Sequence, residues 1–217
     1  QTQVELLADS NLHQYIEFNN IAGKLIISTA ARIRSARKME FRITYGPELN
    51  QIIVKSTAQL SSVTDLSFPF LDLKVQDDAR LYFTASVNEL QLNLTGDSKS
   101  ELNLTGESAN VQITDNADLK SLITYKYAEI IMKDRVDTRI EGDVDQGKLT
   151  LLDRISMKAK NLVFDDLELE VSNNAKAEVN VKENLIIQAE KDADITVFNS
   201  PKIELLKFEG KSVLRKQ

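Results

Sequence analysis

Seven turn-forming residues, Asp77, Asp97, Asp115, Asp134, Asp153, Asn173 and Asp192, follow one another at intervals of 20, 18, 19, 19, 20 and 19 residues. If each interval is one turn of a coil, their side chains stack about 5 Å apart, one strand spacing. Carboxylates that close repel, raise one another's pKa, or bind Ca²⁺ between them. A polysaccharide lyase or hydrolase would use Asp97, Asp115, Asp134 and Asp153 as such a column, with paired carboxylates along an exposed groove. The structural alternative is a ladder of plain turns. Asp and Asn tolerate left-handed backbone and bond their own turn, and Lys99, Arg135 and Arg154 stand nearby to balance the charge.

Other residue types offer less chemistry. Glu141 to Gly147 resembles the start of a calcium loop, but Gly147 holds the third ligand position and Arg154 the place of the bidentate glutamate. A hairpin or protruding loop is the better reading. The single histidine, His13, has no identifiable partner for a catalytic dyad. With no cysteine and one histidine, thiolate and multi-histidine metal sites are excluded, and no metal or cofactor is expected. Asn93-Leu94-Thr95 and Asn103-Leu104-Thr105 fit the N-glycosylation pattern, yet both lie in strand-like segments as outward residues.

Aromatic residues mark the remaining candidate surface. Tyr125 and Tyr127 flank Lys126, Tyr82 faces away from Leu81 and Phe83, and Phe68-Pro69-Phe70 forms an apolar elbow. If Tyr82, Tyr125 and Tyr127 share one solvent face, they would stack on sugar rings or anchor a protein partner. Otherwise they pack at corners beneath loops.

The elements that must position these residues are strands. The 217-residue chain is 42% hydrophobic and 28% charged, a globular composition. Its net charge of −6 gives no electrostatic reason to bind nucleic acid. Arg32, Arg34, Arg37 and Lys38 form a short basic cluster, read as a solvated face or a small anion patch. No apolar run is long enough to span a bilayer. The chain starts at Gln1, which suggests that an N-terminal signal has been removed.

Strict alternation of apolar and polar residues recurs, as in Ala177, Val179 and Val181 against Glu178, Asn180 and Lys182. No window carries a helical stripe. Only three prolines occur, which suits continuous strand pairing. Alternation with a period of about 19 residues predicts an all-β fold, a single-stranded parallel β-helix (β-solenoid) in which each coil buries its inward residues against the next. A β-sandwich explains the alternation but not the period. The expected organisation is one domain over 1–217: less regular strands and a cap in 1–50, regular coils in 51–205, and a tail in 206–217.

Leu92-Asn93-Leu94-Thr95-Gly96-Asp97-Ser98 and its echo from Leu102 to Ser108 resemble the repeat of the putative auto-transporter adhesin, head GIN domain family. Gly23 to Ile27, Tyr45 to Ser56 and Ile195 to Pro201 resemble that family's early strands and last coil. The resemblance implies a right-handed β-helix, a bacterial cell-envelope or secreted location, and adhesion. It supplies no catalytic motif. Glycine, usual in the family's corners, is replaced here by Asp115, Asp134 and Asp153.

Two functions therefore stand. The first is a non-enzymatic adhesin-like or structural protein that binds a glycan or a cell-surface protein. The second is a pectinase-like β-helix enzyme. Self-association through a flat face is a third reading.

Overall fold

The computed structural model describes residues 3–30 and 39–217. The chain divides into two compact units, Gln1–Leu49 and Asn50–Gln217. The basic cluster Arg32, Arg34, Arg37 and Lys38 lies outside the described residues.

The first unit is antiparallel. Strand β1 (Gln3–Ala8) pairs with β4 (Met39–Thr44), and β2 (Ile16–Ile21) forms a hairpin with β3 (Lys24–Thr29). The hairpin turn is Ala22-Gly23, with φ of 51° and 79°. Both central residues of a type I′ turn need positive φ, and this turn matches the twist of the strands it joins. A 3₁₀ turn, His13–Tyr15, leads into β2, and the rings of Phe18 and Phe41 meet edge-on at 5.9 Å.

The second unit is the predicted solenoid. It contains β5 (Gln51–Val54), β6 (Gln59–Ser61), β7 (Leu66–Val75), β8 (Arg80–Leu94), β9 (Lys99–Ile113) and β10 (Asp118–Met132). It continues through β11 (Arg135–Leu152), β12 (Arg154–Ser172), β13 (Lys176–Ala189), β14 (Asp194–Phe198), β15 (Lys202–Phe208) and β16 (Val213–Lys216). Every strand pairing in this unit is parallel. Gln59, Arg80, Lys99, Asp118, Asp137, Ser156, Lys176, Asp194 and Val213 occupy one register position, one per coil, which makes nine coils.

Each long strand contains a bend. In β8 the inward residues alternate up to Val87, Asn88 and Glu89 both face outward, and alternation resumes at Leu90. Lys126-Tyr127 and Asp145-Gln146 repeat this phase break in β10 and β11. Pro69 lies at the same bend of β7, where the ladder skips from Phe68↔Val87 to Phe70↔Glu89. A residue without an N–H is tolerated where pairing lapses.

Stacking lines the inward residues into columns. Val54, Val75, Leu94, Ile113, Met132, Leu151, Val171 and Ala189 form one such column, all buried. Leu73, Leu92, Val111, Ile130, Leu149, Leu169 and Ile187 form another. Burying each large side chain contributes about 1.5–3 kcal/mol. These contacts connect residues about one coil apart in sequence, so stability accumulates coil by coil. The stretch from 206 onward, expected as a tail, carries the end of β15 and all of β16. Residues 213–216 pair with β14 as a ninth coil, and Gln217 N–H donates to Val197 O at 2.9 Å.

Candidate functional site

Each coil closes through a residue with left-handed backbone, and in one coil Asn174 follows Asn173 in the same conformation. The series is Ser56, Asp77, Gly96, Asp115, Asp134, Asp153, Asn173, Lys191 and Gly210, with φ between 59° and 77°. The corner column differs from the sequence expectation in two coils, where Gly96 and Lys191 stand in place of Asp97 and Asp192. Gly96 is required there: a Cβ would sit 2.9 Å from the Asp77 backbone. Asp97 falls in the adjacent column, where it accepts a hydrogen bond from Asn116 Nδ2 at 2.6 Å.

The corner carboxylates serve as ladder acceptors. Asp77 Oδ2 accepts the N–H of Ser56 at 2.8 Å, Asp115 Oδ2 that of Gly96 at 3.0 Å, and Asp134 Oδ2 that of Asp115 at 3.4 Å. Asp153 Oδ1 accepts from Asn173 Nδ2 at 3.2 Å, and Asn173 in turn accepts from Lys191. The backbone returns the interaction: the N–H groups of Asn116, Arg135 and Arg154 donate to the carbonyls of Gly96, Asp115 and Asp134 at 2.9–3.0 Å. Asp115, Asp134 and Asp153 follow one another along the corner column, Arg135 and Arg154 pair in the next register position, and together they line a shallow open groove. Among the described residues, no group of three or more His, Cys, Asp or Glu is arranged to hold a metal ion. The stretch Glu141 to Gly147 lies within β11, so the loop reading is corrected: it is strand, paired to β10 and β12 apart from a register shift toward β12 between Arg139 and Gly142 and a lapse at Asp145. Among the described residues, the His13 ring approaches the carbonyl of Ala8, at 3.3 Å.

The three tyrosines separate. Tyr127 is at the bend of β10, 41% exposed, between Ser108 and Gln146 of the adjacent coils. Tyr82 is 36% exposed on the other outer face, two coils earlier, next to Ser61 and Glu101. Tyr125 points inward and is 2% exposed, so it does not share a solvent face with the other two. The phase break at Lys126-Tyr127 is the cause, because two consecutive outward residues put Tyr125 and Tyr127 on opposite sides. Its ring fills the space above Gly106, where a Cβ would lie 1.8 Å from Val87 O and 2.7 Å from Tyr125 Cε1. The Tyr125 hydroxyl is buried and, among the described residues, without a partner, and burial pushes its pKa up.

The apolar elbow divides in the same way. Phe68 is buried and stacks on Phe83 at 6.2 Å, whereas Phe70 is 39% exposed. Phe70, Glu89, Ser108 and Tyr127 are successive partners across four strands and therefore form one outer column at the bend. Beside this column the flat face carries Gln91 and Asn93 on β8, paired with Asn110 and Gln112 on β9. Ion pairs close both sides of that block. Asp72 accepts from Gln51 at 2.7 Å and from Lys74 at 2.8 Å, and Lys148 approaches Glu129 at 3.5 Å. Burial pushes the Asp72 carboxyl up, but the Lys74 and Gln51 hydrogen bonds and the Lys74 charge outweigh it, so its pKa lies below the ordinary value. The elbow was visible in the sequence, but its alignment with Tyr127 was not.

A parallel β-solenoid with hydrogen-bonded corners and an aromatic-edged outer face defines the class: a β-helical repeat protein. The chain belongs to the putative auto-transporter adhesin, head GIN domain family, whose sequence model matches residues 1–201. No curated protein matches it. No helix among the described residues is long and apolar enough to cross a membrane.

Proposed function

We propose that this chain is a non-enzymatic, adhesin-like protein of the cell envelope or the secreted fraction, presenting its solenoid to a glycan or a surface protein. One observation carries this reading: the carboxylates an enzyme would need as acids are the acceptors that tie one coil to the next. A residue that holds the backbone ladder is poorly placed to change protonation state during a reaction, because protonation would weaken the turn it closes. The family name points the same way.

Beads coated with the purified chain test the reading. Saturable adherence to cell-wall polysaccharide or to a protein-coated surface, without release of reducing or unsaturated ends, is expected. Product release that disappears in Asp115→Asn or Asp134→Asn would overturn it, as would the absence of adherence to any surface.

A further inference from the structure

We propose that the outer face between Phe70 and Tyr127 binds a neutral, extended oligosaccharide laid along the solenoid axis. This rests on the adhesin-like reading above and names the ligand class for it. Phe70 and Tyr127 stand in one column three strand spacings apart, roughly 14 Å, with exposures of 39% and 41%. Two ring faces at that separation suit the two ends of a short run of linked sugars. The C–H face of a sugar ring packs on an aromatic face while its hydroxyls stay free for polar contacts.

The polar contacts are next to the column. Gln91, Asn93, Asn110 and Gln112 form a two-by-two block on the two coils between the aromatic ends. Among the described residues, none of these four side chains has a hydrogen-bond partner, and Asn110 Oδ1 is shielded from water and unpaired. Six other amides of the solenoid, Gln51, Asn116, Asn173, Asn180, Asn184 and Asn199, bond a neighbouring coil instead, whereas Asn88, Asn103 and Gln146 are, among the described residues, as unpaired as the block. An amide offers both donors and an acceptor, which matches the hydroxyl of a sugar on either side of its hydrogen bonds.

Charge selects among glycans. The amide block is uncharged, and the ion pairs at its margins, Asp72–Lys74 and Glu129–Lys148, neutralise their own charges. Glu89, in the column between Phe70 and Tyr127, repels a polyuronide and accepts hydrogen bonds from neutral hydroxyls.

The test is affinity electrophoresis in native gels containing a soluble β-glucan, a xylan or a mannan, with polygalacturonate as the anionic probe. Retardation by at least one neutral polysaccharide is expected. Phe70→Ala, Tyr127→Ala and the double variant Asn93→Ala with Gln112→Ala should each weaken it about tenfold. Tyr82→Ala, on the other face, should leave it unchanged, and thermal melts should show each variant folded. Retardation only by polygalacturonate, no retardation at all, or equal retardation of the Tyr127→Ala protein would overturn the proposal. Bead adherence that survives in those cases leaves the adhesin-like reading standing, so the two failures are read apart.

Discussion

The Asp115 carboxylate accepts the backbone N–H of Gly96, 3.0 Å away and one coil earlier. Gly96 and Asp115 each bond the following coil through both the N–H and the carbonyl, so the turn closes its backbone hydrogen bonds without glycine in every coil.

Asp115→Ala should therefore destabilise the solenoid by about 1–2 kcal/mol, through the lost acceptor and the less favourable left-handed backbone. Asp115→Asn keeps an acceptor oxygen and should cost less than about 1 kcal/mol. Urea melts of the two variants check this; equal losses would mean that the charge, not the hydrogen bond, holds the corner.

Gly106 permits the close approach beneath Tyr125. Because an added Cβ would meet Val87 O at 1.8 Å, Gly106→Ala should cost at least about 3 kcal/mol. Gly23, on the hairpin of the first unit, has open space around an added Cβ, so a substitution there meets only the strain of its left-handed backbone. Thermal denaturation should show the Gly106 variant melting far earlier than Gly23→Ala.

The hydroxyl of Tyr125 is buried and has no partner among the described residues, so it costs the desolvation of a polar group and gains no bond for it. Tyr125→Phe should stabilise the chain by about 1 kcal/mol. A rise in melting temperature checks it; a fall would reveal a partner for the phenol.

Asp72 sets a pH dependence. Its folded pKa lies below the ordinary 3.8, so its contribution is fully present above that value and is lost as pH falls through the folded pKa. Asp72→Asn should be less stable than the parent at pH 7, and the difference should shrink as the pH falls through the folded pKa, below 3.8. Chemical denaturation at pH 7 and along an acid series measures this.

Ile187 is fully buried in a core column. Ile187→Asp places an unpaired charge among apolar side chains at a cost of several kcal/mol, and loss of the β-sheet circular-dichroism signal is the expected result.

The repeat period, the parallel solenoid and the inward or outward side of most residues follow from local pattern alone. Alternation over a few residues decides which face is buried, and a fixed interval decides that coils stack. Ala177, Val179 and Val181 are buried as their spacing requires. Local pattern fails where the chain changes phase. At Lys126-Tyr127 two outward residues in succession reverse the parity, so Tyr125 is inside and Tyr127 outside, although the two are separated by an even step. The corners show the same limit on a smaller scale, with Gly96 and Lys191 holding the left-handed position one residue before the acids that suggested it. The column from Phe70 to Tyr127 spans 57 residues of sequence. Its register is the sum of every coil length between them, and only the strand pairing of β7 to β10 sets that sum. A side chain's own strand decides whether it meets water; its neighbours in space are decided by backbone hydrogen bonds to other coils, which no single strand encodes.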